Sequence, residues 1–139
     1  MDGMRKKTME AGDRKLGAAT CRIRQCTALP ERMRAGSREL TSLLVQRDKR
    51  GQGFGTSLVH KVCREADAAG IVLILFPEPF DGSEWSKDQL VAWYEANFGF
   101  AIIQHQPATL MARMPGATPR MLALRPVAEG LFINKVQPQ

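Results

Sequence analysis

Leu43-Leu44-Val45-Gln46-Arg47-Asp48-Lys49-Arg50-Gly51-Gln52-Gly53-Phe54-Gly55-Thr56-Ser57-Leu58-Val59 is the stretch on which the reading of this chain turns. An apolar, strand-like end runs into a basic loop with glycines at Gly51, Gly53 and Gly55, and the loop opens into a segment of helical period. Strand, glycine loop and helix together make an anion site. Glycines leave no side chains in the way, so successive backbone N–H groups can turn inward, and the free N–H groups and positive dipole end of the helix point at the same spot. Arg47, Lys49 and Arg50 add fixed positive charge at its rim.

Spacing narrows the choice of anion. A dinucleotide fingerprint needs a glycine at the sixth position from Gly51, where this chain has Thr56. A Walker loop needs Gly-Lys-Ser/Thr, and the chain contains no such triplet. The pattern Arg-x-x-Gly-x-Gly does fit, as Arg50-Gly51-Gln52-Gly53-Phe54-Gly55. Taken alone, those six residues serve equally well as a tight turn between strand and helix.

Working outward, Glu39–Gln46 reads as the strand feeding the loop, with Leu40 and Val45 expected on opposite faces of a sheet buried on both sides. Leu58, Val59, Val62, Cys63 and Ala66 recur at three- and four-residue intervals, which predicts a helix over Gly55–Ala69 ended by Gly70. The run Ile71–Phe76, bounded by Gly70 and Pro77, is short, apolar and rich in branched residues, hence a buried strand. Strand, helix and strand in that order imply a parallel, right-handed crossover. Pro77–Glu84 is a loop, and Ser86-x-x-Gln89 caps a helix whose apolar face holds Leu90, Val91, Trp93, Tyr94 and Phe98 before Gly99 stops it. Phe100–Gln104 and Thr109–Arg113 read as an antiparallel pair. Upstream, alternation over Ala19–Thr27 predicts a strand and Ala28–Ser37 a connection.

Composition sets outer bounds. The chain of 139 residues suits one domain with one core. It has no apolar run near the roughly 18 residues a membrane span needs, and its basic start leads into no signal-peptide core. Three cysteines at spacings fitting neither zinc nor a redox pair point to no metal and a reducing cytoplasm. The net charge of +6 raises affinity for any polyanion, but no aromatic residue precedes Phe54 in the basic half, so a nucleic-acid partner is not expected. His60 and His105 are isolated and carry no assigned role. Residues 1–18 read as a flexible basic tail, 19–114 as the folded domain, and 115–139 as an apolar extension that packs on the domain or on a second copy, giving a homodimer.

The loop Arg50–Gly55, followed downstream by Tyr94-Glu95-Ala96-Asn97-Phe98-Gly99-Phe100, resembles the pyrophosphate loop and the Tyr-Glu-x-x-Gly-Phe signature of the GNAT N-acetyltransferase superfamily. The resemblance covers about residues 38–114, the second half of such a domain. It implies an α/β fold with a mixed, mainly antiparallel sheet, a central parallel strand-helix-strand unit and a shortened N-terminal half. It implies acetyl-CoA as cosubstrate and an amine as acceptor, attacking directly. By position, the backbone of Leu43 and Val45 would hold the pantetheine and acetyl carbonyl. Backbone N–H groups of Gly51, Gly53, Gly55 and Thr56 would take the pyrophosphate, with Arg50 assisting. Tyr94 would be the general acid, since a neutral phenol of pKa about 10 is close to a thiol's 8.5. Glu39 and Glu78 are the candidate bases, each also readable as a surface charge. One residue more than usual separates Tyr94 from Gly99, so a register fixed from Gly99 would put Glu95 in the tyrosine position, leaving Tyr94 as a core residue. Lys87 stands where the family often has Asn, and Arg47 where it often has Pro. The short N-terminal half keeps a second reading open, a GNAT-fold CoA-binding or interaction module without transfer activity. The acceptor is not specified.

Overall fold

The computed structural model describes residues 8–79 and 84–118. In chain order these form β1 (Gly12–Leu16), β2 (Ala19–Gln25), the single-turn α1 (Glu31–Arg34), β3 (Ser37–Val45), α2 (Phe54–Ala69), β4 (Val72–Leu75), α3 (Lys87–Phe98), β5 (Ala101–Gln104) and β6 (Leu110–Arg113). The strands make one sheet in the order β1-β2-β3-β4-β6-β5. Only β3 and β4 run parallel, as the crossover through α2 requires. The α/β fold is therefore mixed and mainly antiparallel around a parallel strand-helix-strand unit.

Local chemistry places the element ends. Gly70 takes a left-handed conformation (φ 68°), its N–H bonds the carbonyls of Ala66 and Asp67, and the Ile71 N–H also bonds Ala66 O. Those bonds satisfy carbonyls that the end of α2 leaves open. At α3 the Ser86 hydroxyl accepts from the Gln89 N–H while the Gln89 side chain accepts from the Ser86 N–H, a complete capping box. One face of α2 buries Leu58, Val59, Val62, Cys63 and Ala66 with Cys21 and Ile23 of β2, Leu40 of β3, Leu73 and Leu75 of β4 and the aromatic side of α3. Ile74 points the other way, to Cys26 and Leu110. With both faces of β4 covered, its unbroken apolar run is explained.

Two expectations need correction. Residues 8–16 do not belong to a loose tail: Met9 is buried in the main core, the Met9 carbonyl accepts from Arg38 Nε at 2.9 Å, and β1 pairs along its length with β2. Charge masked that strand, because Asp13 and Lys15 point outward while Arg14 lies along α2 and pairs with Glu65 at 2.7 Å. Leu40 and Val45 do not face opposite ways either. Between Thr20 and Arg22 of β2 the register against β3 slips by one residue, and Ser42 takes φ +60°. This bulge flips the alternation, so Leu40, Leu43 and Val45 all pack against the main core. Residues 1–7, the tip of the 77–84 loop and residues 119–139, including most of the apolar extension, lie outside the described residues.

Candidate active site

The bulge is where the site begins. β3 pairs with β4 only from Ser37 to Glu39, opposite Val72 to Ile74. Beyond Glu39 the strands part, and the gap widens into a cleft of about 890 Å³ bounded by both strands, the glycine loop and α3. The Gln46 N–H bonds Ala18 O on the β2 side. By the two-residue alternation of a ladder, the N–H and C=O of Val45 therefore point away from β2, into the gap.

After Val45 the chain makes a short 3₁₀ turn, Arg47–Lys49, and enters the loop with Gly51 at φ 82° and Gly53 at φ 87°. Left-handed backbone at both points is why glycine stands there. The Arg50 Nε donates to Val45 O at 3.0 Å, tying the loop back to the strand it left. The first turn of α2 closes with the Ser57 N–H on Gly53 O, so the N–H groups of Phe54, Gly55 and Thr56 have no partner within the helix, and no side chain caps them. A Cβ on Gly53 would have nothing within 4 Å, whereas one on Gly55 would press Val45 Cγ2 at 3.3 Å. The loop thus leaves open space beside free N–H groups, with Arg47, Lys49 and Arg50 around it.

On the opposite wall, α3 presents Leu90, Trp93 and Tyr94. Tyr94 is 6% exposed and packs edge-on against Trp93 and Phe100. Burial holds its phenol well above the ordinary value of 10, with the buried Cys21 and Cys63 adding to the effect. Glu95, the other residue the tyrosine register allows, does not line the cleft.

Glu39 lies opposite Arg24 in the β2–β3 register, and their side chains form a two-point ion pair, Nε–Oε1 3.3 Å and Nη2–Oε2 3.2 Å. Its neighbour Leu40 faces α2, so Glu39 faces the other side of the sheet. The cleft is consequently lined from both faces: Trp93 and Tyr94 from the helical side, Arg24 and Glu39 from the other. Glu39 is 4% exposed. Glu78 is an exposed residue at the mouth, 3.6 Å from Lys87 Nζ. Lys87 itself does not line the cleft.

Every candidate residue read from the sequence, Glu39, Leu43, Val45, Arg50, Gly51, Gly53, Gly55, Thr56, Glu78 and Tyr94, is thus on the wall of one cleft. Residues 7–100 match the acetyltransferase (GNAT) family. The chain belongs to that family. The match starts well ahead of residue 38, so β1 and β2 are part of the GNAT domain and the resemblance is wider than the two motifs suggest. Among solved structures, the fold is similar to the anti-CRISPR protein AcrVA5, at 19% identity and TM-score 0.56 over 75% of this chain and 98% of that one. It is also similar to the ribosomal-protein-S18-alanine N-acetyltransferase from Escherichia coli, at 18% identity and TM-score 0.52 over 83% of this chain and 76% of that one. At such identities the likeness concerns the fold. No curated protein matches the sequence.

The GNAT cleft also holds residues that sequence reasoning passed over: Arg24, Phe54, Trp85, Leu90 and Trp93. Arg24 could not be found without the strand register that sets it across from Glu39. The aromatic residues carried a signal, since two tryptophans within nine positions exceed what one helix face needs for packing, but their spacing reads equally as core.

Proposed function

We propose that this GNAT protein transfers an acetyl group from acetyl-CoA to an amine by direct attack. The observation that supports the reading is the parting of β3 from β4 into a cleft that joins the glycine loop at the start of α2 to Tyr94 on one sheet face and Glu39 on the other. The residues fit the cosubstrate: uncapped N–H groups beside an open Gly53 suit a diphosphate, and a groove edged by strand backbone suits an amide-bearing arm.

Acetyl-CoA supplies an activated acyl carbonyl and a thiol leaving group. The N–H groups of Gly51, Gly53, Gly55 and Thr56 take the pyrophosphate, and Arg50 adds charge while bracing the loop on Val45. The backbone of Leu43 and Val45 holds the pantetheine and the acyl oxygen, where negative charge develops. From the far face Glu39, held in place by Arg24, accepts the proton lost by the amine, with Glu78 at the mouth as the second candidate. Tyr94 donates its proton to the departing thiolate. One C–N bond forms and one C–S bond breaks; the amine proton ends on the carboxylate and the phenol proton on sulfur. Burial raises the phenol, so its proton stays in place until charge develops on the departing sulfur.

Calorimetric titration with acetyl-CoA, followed by measurement of CoA release over a panel of amines, tests the reading. Absence of binding defeats it. The other reading, a CoA-binding or interaction module, is favoured by one observation: among the described residues, only the four-residue α1 precedes β3 as helix, leaving little to build an acceptor wall on the Glu39 face. Binding without turnover of any amine would select it. Three unpaired, buried cysteines agree with a reducing, cytoplasmic setting.

A further inference from the structure

We propose that Arg24 receives a carboxylate of the acceptor, so that the amine acetylated in this cleft belongs to a free amino acid. The proposal rests on the transfer reading given above. Arg24 stands across from Glu39 in the β2–β3 register, at the last residue of β3 that pairs with β4. Its Nε and Nη2 hold the two oxygens of Glu39 at 3.3 and 3.2 Å. Glu39 is buried, but the Arg24 side chain is 58% exposed and lines the cleft. The pair uses one edge of the guanidinium. Nη1 and the second N–H of Nη2 form another edge, and no hydrogen bond to a described residue engages it. Arg22, the neighbouring cation on this face of β2, is instead turned to Asp13 at 2.9 Å.

A guanidinium edge with two parallel N–H donors is the fork that a carboxylate takes with both oxygens. The diphosphate of the donor is no rival for it. The glycine loop starts beyond Val45, six residues further along β3 than Glu39, or roughly 20 Å at about 3.3 Å per residue. The anion for Arg24 is therefore the acceptor's own. Glu39 and Arg24 set a negative and a positive group side by side on one wall. A simple amine would bring its ammonium to Glu39 and, in the same place, against the positive guanidinium. An α-amino acid carries ammonium and carboxylate on one carbon, and so meets each of the two groups with the opposite charge. With its carboxylate on Arg24, its amine lies beside Glu39, the proton acceptor. A peptide N-terminus, a lysine side chain or a polyamine has no carboxylate next to its amine and leaves the fork empty.

Once calorimetry has established acetyl-CoA binding, CoA release by wild type and Arg24→Gln is measured with each common L-amino acid, with its α-carboxamide and with primary amines lacking a carboxylate. For the preferred side chain, wild type should favour the acid over the amide by about 30-fold in kcat/KM, the scale of hydrogen bonds to a charged group. Amidation lowers the pKa of the amine and frees its lone pair, so this preference runs against intrinsic reactivity. In Arg24→Gln the ratio should fall to about 1, most of the loss appearing in KM for the acid, and Arg24→Lys should restore part of it. A role confined to holding Glu39 would slow acid and amide alike and leave the ratio unmoved. That result, or carboxylate-free amines used as well as the acids, overturns the proposal and leaves the transfer reading standing. Binding of acetyl-CoA with turnover of no amino acid overturns it too. No binding of acetyl-CoA defeats the transfer reading, and the proposal with it. Should Arg24→Gln fail to fold, the acid-to-amide ratio of wild type decides alone.

Discussion

Gly53→Glu isolates the phosphate cradle. Gly53 sits at φ 87° at the start of α2, and a Cβ there would meet nothing within 4 Å, so a longer side chain enters the cleft without displacing any packed group. Two effects follow and can be separated. A residue with a Cβ in left-handed backbone costs the fold roughly 1–2 kcal/mol, less for Asn. The carboxylate adds repulsion: two unit charges about 5 Å apart at an effective dielectric of about 20 repel by about 3 kcal/mol. Gly53 is exposed, so water and salt reduce this to about 2 kcal/mol, or about a 30-fold weaker Kd for acetyl-CoA. Gly53→Asn carries much of the backbone strain without the charge and should bind within about threefold of wild type. Calorimetry on all three proteins at low and high salt gives the answer, with the Glu penalty shrinking as salt rises. If Gly53→Glu binds as tightly as Gly53→Asn, or if its deficit ignores salt, the diphosphate does not sit at this loop.

The remaining expectations are more local. Tyr94→Phe keeps the ring among Trp93, Phe98 and Phe100 and removes only the proton, so kcat for acetyl transfer should fall about 100-fold with KM within twofold; unchanged steady-state rates would remove the phenol from the mechanism. Arg113, 4% exposed, donates to Phe98 O and Ala117 O and pairs with Asp67 at 2.7 Å, which holds the Asp67 carboxyl below its ordinary 3.8. Because the folded value is the lower one, this contribution is whole above about pH 4 and is lost as pH falls through the folded value. Asp67→Asn should therefore cost about 1–2 kcal/mol at pH 7, discounted for the partly exposed carboxylate, and flatten the acid limb of stability in urea melts; an unchanged acid limb would show that the pair does not set it. Gly17, at φ 58° in the β1–β2 turn, would place a Cβ 2.5 Å from the Phe54 ring, so Gly17→Ala should destabilise by roughly 2 kcal/mol in thermal or urea unfolding. Wild-type stability in that variant would mean the hairpin does not bear on the start of α2.

What could be read from the sequence was whatever neighbouring residues decide among themselves. Glycines in left-handed backbone, the Ser86–Gln89 box, the 3.6-residue period of α2 and the apolar run of β4 are all settled within one or two turns of chain, and so were the loop and the Tyr94 segment that point to the GNAT family. Contacts between distant residues decided the rest. Arg14 bonds a residue 51 positions away, which made a strand of what charge alone marked as tail. The bulge at Ser42 reversed the facing of Val45 relative to Leu40, and no period in β3 announces a one-residue slip against β2. The cleft exists because β3 and β4 pair over three residues and then part, and the facing of Glu39 against Tyr94 follows from that parting. Sequence order carries local preference; which side chains end on one wall is fixed only when register, bulge and crossover are fixed together.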